Sequence, residues 1–193
     1  PTGVNPSSGR TFSAHYYSPL VRMLPELELA ELYNSCNFSW IPSDPRSLLA
    51  NQTVMDRRID LFLCPSDPYP VVAGFGRVNY RFNVGATPWI APGPNAPDSL
   101  TGPFTTHRFY RPADFTNGLS KTIGTSERIQ GDWTSGVLHR GDYILTTVGN
   151  AKSPGGCEKA LAVCAVAPTT AAHESRAGES WFVSGFHFTN YNH

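Results

Sequence analysis

The stretch Leu61-Phe62-Leu63-Cys64-Pro65-Ser66-Asp67-Pro68 constrains this chain more than any other. A short apolar run enters a cysteine and stops at a Pro-Ser-Asp-Pro turn. Three consecutive apolar residues suit burial on both faces of a sheet, so the run reads as the end of a central strand. Neither Pro65 nor Pro68 can donate to a β ladder, so pairing must stop there. Ser66 or Asp67 can hydrogen-bond the backbone of the turn. A serine beside an aspartate also raises the question of a nucleophile. No GxSxG elbow surrounds Ser66, and the turn role accounts for both residues.

The rest of the chain reads as short elements joined by loops. Leu24, Leu27, Leu29, Leu32 and Tyr33 give an imperfect helical face over Pro25–Asn34, with Glu26 and Glu28 in its first turn. Ser43-Asp44-Pro45 is an N-cap followed by a first-turn proline, so a second helix starts there and carries Leu48, Leu49 and Val54. Arg57 to Leu63 then turns extended. Val78, Tyr80, Phe82 and Val84 alternate with Asn79, Arg81 and Asn83, which marks a half-buried strand. Residues 86–106 form a long Pro/Gly-rich surface loop. Asn117-Gly118 supplies a turn that accepts positive φ, and Lys121–Glu127 follows as a strand. Asp132–His139, Tyr143–Val148 and Glu179–Val183 read as further strands.

With 193 residues the chain suits one domain, 1–193, with a leading segment at 1–19. It opens on Pro1 and ends on an aromatic run, Phe186 to His193, that reads as interrupted. Fifteen basic residues balance fifteen acidic ones, and charged residues are only 16% of the chain. Binding nucleic acid or an anionic membrane needs concentrated Lys/Arg, so the composition argues against both. No apolar run approaches the ~20 residues of a membrane span. Low charge, loop-rich character and an even number of cysteines suit an extracellular protein.

The four cysteines, Cys36, Cys64, Cys157 and Cys164, allow three pairings. The Cys157–Cys164 spacing suits closing a hairpin or small loop, which leaves Cys36 for Cys64. Four buried thiols are the alternative. The six histidines show no HExxH pattern, and zinc spacing is absent. Asp114, Asn117, Glu127 and Asp132 offer hard oxygens around one turn, as calcium prefers. The plainer reading is an Asn-Gly turn with solvated carboxylates. Of the tryptophans, Trp40 and Trp181 sit in apolar segments and read as core. Trp89, in the Pro-rich loop, and Tyr110 are candidate contacts for a glycan or a second subunit.

Several motifs in order resemble a large prepilin-like family abundant in planctomycetes. Leu24-Pro25-Glu26-Leu27-Glu28-Leu29-Ala30-Glu31-Leu32-Tyr33-Asn34 is similar to its LLPYLEQxxLYN helix. Phe62 to Pro68 resembles its FxCPSDP signature, and Asn79-Tyr80 with Gly85 its NYxxxxG strand. Asn117-Gly118-Leu119-Ser120-Lys121-Thr122-Ile123, followed by Glu127, resembles its DGxSNTIxxxE element. Gly178-Glu179-Ser180-Trp181 and Asn190-Tyr191-Asn192 resemble late elements. Asn117 stands where the family has Asp, which removes one carboxylate from the calcium set.

The resemblance implies an exported pilin-like head: a mainly antiparallel sheet packed on a short N-terminal helix region, an α+β class. It implies a non-enzymatic, self-associating subunit of a surface filament, pseudopilus or coat, handled by type II secretion or pilus machinery. An extracellular solute- or glycan-binding module is the alternative. No cofactor is expected, with calcium a possible exception, and a second copy of the chain is the expected partner.

Overall fold

A computed structural model describes residues 3–4, 11–12, 17–42, 44–68, 76–85, 102–104, 110–134, 136–145, 156–185 and 189–191. The elements run β1 (Gly3–Val4), β2 (Thr11–Phe12), α1 (Pro19–Met23), α2 (Ala30–Asn34), α3 (Pro45–Met55), β3 (Tyr80–Asn83), β4 (Thr125–Glu127), β5 (Tyr143–Ile144), α4 (Gly156–Ala165), β6 (His173–Glu174) and β7 (Asn190–Tyr191). The protein is therefore of mixed α+β class. Its three-stranded sheet has the order β4-β3-β7. β4 runs antiparallel to β3 with Arg81 opposite Ser126, and β7 runs parallel to it with Phe82 opposite Asn190. β1 with β2, and β5 with β6, form two-stranded antiparallel ribbons. No described helix is long and apolar enough to cross a membrane.

The expected helix over Pro25–Asn34 is broken. A 3-10 turn over Pro25–Leu27 ends at Glu28, whose φ of 62° is left-handed and whose N–H donates to Pro25 O. α2 starts only at Ala30. The break lets Leu24 lie inside the core while Leu27, Leu29, Leu32 and Tyr33 pack against its rim. α3 starts where the Asp44-Pro45 signal places it. Asp44 Oδ1 accepts from Arg46 N at 2.9 Å, and the Arg46 hydrogen bonds hold its carboxyl down at about 2. Leu48 and Val54 are buried as expected; Leu49 faces solvent at 72% exposure.

The core gathers around Trp181, Phe182 and Val183, all wholly buried, with Leu20, Val21, Leu24, Leu48, Val54, Met55, Phe62, Val78 and Phe82. Phe62 and Phe182 lie against Trp181 at ring separations of 5.8 and 5.6 Å. The buried indole needs a partner for its N–H, and Nε1 donates to Arg57 O at 2.9 Å. Gly76 is required beside it, because a Cβ there would sit 2.5 Å from Nε1 and 2.0 Å from Met55 O. This segment is not the strand that its apolar run suggests. Its bonds go to irregular backbone: Trp181 N donates to Gly76 O, and Ser18 N to Phe182 O. Val183 makes only an isolated bridge with Tyr17. Trp40 is half-buried, with the Arg46 guanidinium 3.5 Å from its ring centroid, so it caps α3 from outside the core.

Leu61-Phe62-Leu63 is also not a strand. It forms a 3-10 turn over Asp60–Phe62, closed by Phe62 N donating to Ile59 O. The turn sends Phe62 inward and leaves Leu61 58% exposed. Three apolar residues are too few to hold an extended pairing once Pro65 ends it. The central strand is β3, and it is buried on both faces. Val78 and Phe82 enter the apolar core. Asn79, Arg81 and Asn83, expected at the surface, are buried as well.

Asn79 ties this strand to the Pro-Ser-Asp-Pro turn. Its Oδ1 accepts from Cys64 N at 2.9 Å and Gln130 Nε2 at 2.7 Å. Its Nδ2 donates to Asp67 Oδ2 and to Arg128 O at 3.0 Å. Asp67 Oδ2 in turn accepts from Gln130 N at 2.9 Å. The carboxylate of the turn thus works as a structural acceptor. Each buried group stranded by removing a partner costs about 1–3 kcal/mol. Asn79→Ala is therefore expected to destabilise the chain by roughly 3 kcal/mol or more in denaturant unfolding. The exposed Asn117→Ala control should stay within about 0.5 kcal/mol. A loss below about 1 kcal/mol for Asn79→Ala would show that the amide is not the tie described.

Candidate functional site

Two features outside the apolar core carry chemistry: the polar face of β3 and the free edge of β4. On the polar face, Arg77 and Arg81 are each 1% exposed. Arg77 Nη2 donates to Gly131 O at 2.8 Å. Burial pushes its guanidinium down to about 10, while Asp67 and Glu179 favour its charge. Burial likewise pushes Arg81 down to about 10. The Tyr143 phenol favours its charge, and Arg128 opposes it. Trp133 sits beside these groups with a left-handed φ of 65°. Arg77 and Arg176 lie 5.4 and 5.2 Å from its ring centroid. Such a backbone costs about 1–3 kcal/mol and persists only where the surroundings impose it.

The segment covering this face is closed by two histidine–aspartate pairs. Asp142 Oδ2 accepts from His139 N at 2.8 Å and lies 3.7 Å from His173 Nε2. The other nitrogen of His173, Nδ1, is 2.7 Å from Ala171 O. His139 Nε2 lies 3.1 Å from Asp132 Oδ2. These contacts join Asp132, His139 and Asp142 to His173 of the β5–β6 ribbon. The sequence holds a signal for the whole buried face. A half-exposed strand usually carries Lys, Glu or Thr outward. β3 and its lead-in carry Arg77, Asn79, Arg81 and Asn83, groups that can make several hydrogen bonds each.

Two of the four proposed calcium ligands, Asp114 and Asp132, accept from nearby backbone N–H groups. Asp114 Oδ2 accepts from Arg111 N at 2.6 Å. Asp132 Oδ1 accepts from Thr134 N at 2.9 Å. Glu127 pairs with Tyr80 in the sheet, and Asn117 is exposed in the turn before Gly118. Among the described residues, no three His, Cys, Asp or Glu side chains come together as a metal group. Trp89 lies outside the described residues. Tyr110 is half-buried with its ring 5.9 Å from Phe115.

The cysteines depart from the expected bridges. Cys36 and Cys64 are free thiols, Cys36 donating to Leu32 O at 3.4 Å. Cys157 and Cys164 both lie on α4 rather than on a hairpin. Two helical turns separate them by about 10.5 Å along the axis. A disulfide spans at most about 7 Å between Cα atoms, so bridging them needs the helix to open.

β4 is the edge strand of its sheet, and Thr125, Ser126 and Glu127 are all exposed. Asn83 N donates to Gly124 O, and Arg128 N to Asn79 O. Antiparallel pairs alternate, so Arg81–Ser126 is the hydrogen-bonded pair between them. The main-chain groups of Thr125 and Glu127 therefore turn away from β3. Leu119 and Ile123, just before the strand, are 57% and 49% exposed. The strand expected over Lys121–Glu127 is confined to Thr125–Glu127, and the signal for an edge is its Thr-Ser-Glu run after an isolated isoleucine.

The chain is thus a mixed α+β protein with a doubly buried central strand and an exposed edge strand, β4, beside it. A family model described as "Protein of unknown function (DUF1559)" matches residues 1–190, and the chain belongs to that family. Neither a curated protein nor a solved structure matches it.

The two thiols differ in environment, which alkylation reads directly. Burial pushes Cys36 up to about 11, so it carries little thiolate at pH 8.5. Timed iodoacetamide labelling of the native chain with peptide mapping should modify the half-buried Cys64 well before Cys36. Equal rates, or a Cys36–Cys64 peptide under non-reducing conditions, would contradict this arrangement.

Proposed function

We propose that this chain is a non-enzymatic structural subunit of a secreted or cell-surface filament, pseudopilus or coat. It self-associates through its folded head. The observation that carries the reading is the open edge of β4 with Leu119 and Ile123 beside it. An exposed edge presents unpaired N–H and C=O groups that template pairing with another strand. Burying a leucine or isoleucine side chain contributes about 1.5–3 kcal/mol. Equal numbers of acidic and basic residues remove net like-charge repulsion between copies. The pilin-like motifs and the extracellular setting inferred from them support the same reading.

Electron microscopy of protein taken from its native source, without refolding, tests it. Regular filaments or sheets are expected for the natural chain. Leu119→Lys with Ile123→Lys should disperse them, while unfolding stays within about 0.5 kcal/mol per site because both side chains are exposed. Filaments that survive the double substitution would exclude this edge as the interface. Dispersed monomers of the natural chain at high concentration would reject the subunit reading in favour of a binding module.

A further inference from the structure

β4 meets β3 along one side, and the main-chain bonds there fix which of its residues face the other way. Asn83 N donates to Gly124 O and Arg128 N to Asn79 O, so the ladder with β3 continues one residue past β4 at each end. Gly124, Ser126 and Arg128 use their main-chain groups on β3, while Thr125 and Glu127 direct theirs outward. Glu127 O accepts from the exposed Ser126 hydroxyl at a long 3.4 Å and keeps a second lone pair. Side chains alternate along a strand, so Ile123, Thr125, Glu127 and Ile129 fall on one face. The first three are exposed and Ile129 is half-buried.

A strand laid on this edge must bring acceptable groups opposite these four. A second copy of β4, running antiparallel, has three registers centred on the strand. With the two-fold axis at Thr125, Ile123 faces Glu127 of the second copy, an apolar side chain against a carboxylate. With the axis at Glu127, the two carboxylates stand directly opposite each other, which is destabilising. With the axis at Ser126, Thr125 faces Glu127 at both places, and Ile123 faces Ile129 at both ends. Arg128 then faces Gly124, and the Glu127 carboxylates become diagonal rather than direct neighbours. Cross-strand pairs of β-branched residues stabilise a sheet, so the pattern fits a copy of itself best in this last register. The chain carries no net charge to oppose the approach.

We propose that two copies of this chain pair β4 against β4 about a two-fold axis at Ser126, joining their three-stranded sheets in the order β7-β3-β4-β4-β3-β7. The inference rests on the subunit reading and adds to it the partner strand, the register and the symmetry. A two-fold contact closes on itself, so it makes a pair and goes no further. The pair is the unit of the filament or coat, and growth beyond it uses a different surface.

Cysteine cross-linking reads the register directly. In the Ser126 register the two copies of that residue form a non-hydrogen-bonded pair about 4.5 Å apart at Cα, within the span of a disulfide. Residues 125 and 127 each lie about 7–8 Å from their own counterpart, beyond that span. The intact chain carrying Ser126→Cys, Thr125→Cys or Glu127→Cys is oxidised at the concentration where the natural chain assembles. Mapping of non-reduced peptides separates the new bridges from the four natural cysteines. All three positions are exposed, so each variant is expected to fold as the natural chain does. Ser126→Cys should lose its monomer band to a bridge between its two position-126 thiols, while the other two variants keep theirs. Preferential bridging at position 125 or 127 would overturn the register. A natural chain that assembles while no position bridges would overturn edge pairing and leave the subunit reading standing. A natural chain that stays monomeric would reject both.

Discussion

One side-chain amide holds three separate parts of this chain in register. Asn79 is wholly buried and satisfied at both ends. Its oxygen receives the backbone of Cys64 and the side chain of Gln130, and its nitrogen reaches Asp67 and the carbonyl of Arg128. The Pro-Ser-Asp-Pro turn, the central strand and the covering segment therefore close around the same atoms. Hydrophobic burial is non-directional and would tolerate several registers. A fully satisfied buried amide is directional, and a slip by one residue would strand every partner at once. The turn that looks like a stopping signal is one wall of this node.

Charge is distributed with the same economy of contacts. The chain is formally neutral, with its basic residues scattered in sequence. Folding brings Arg77, Arg81, Arg128 and Arg176 to one side of β3, interleaved with Trp133 and Tyr143. Asp67 serves both the amide node and the field around Arg77. The Asp142 carboxylate, with His139 and His173, closes the covering segment from its outer end. The polar layer thus behaves as a second core, held by directional bonds where the first is held by apolar area.

The β4 edge of the same sheet carries the functional reading. A strand buried on both faces and paired on both edges has nothing left to offer a partner. β3 is in that position, and β4 is not. Family membership over residues 1–190 assigns no activity, so the reading rests on where the fold leaves main-chain groups and apolar side chains open. Edge pairing suits assembly of copies because it needs no cavity and no special residue, only an unblocked strand and a neutral approach.

Local signals determined the local structures. The Asp44-Pro45 start of α3, the positive φ of Gly118 and the alternation through Val78–Val84 are all written within a few residues, because caps, turns and pleats are short-range geometry. The mixed α+β class follows from those pieces. Other outcomes needed the whole fold. Asp60–Phe62 became a 3-10 turn because Phe62 had to reach Trp181 while the chain turned toward Asn79. Glu179–Val183 was buried without becoming a strand, because its backbone bonds were met by Gly76 and Ser18. Cys157 and Cys164 were spread along a helix rather than closed on a hairpin. Above all, the alternation in β3 separated two sets of side chains without saying where the polar set would go. Burial of Arg81 and Asn79 is decided by what packs against the second face. That covering segment lies some fifty residues further along the chain, beyond the reach of any local pattern.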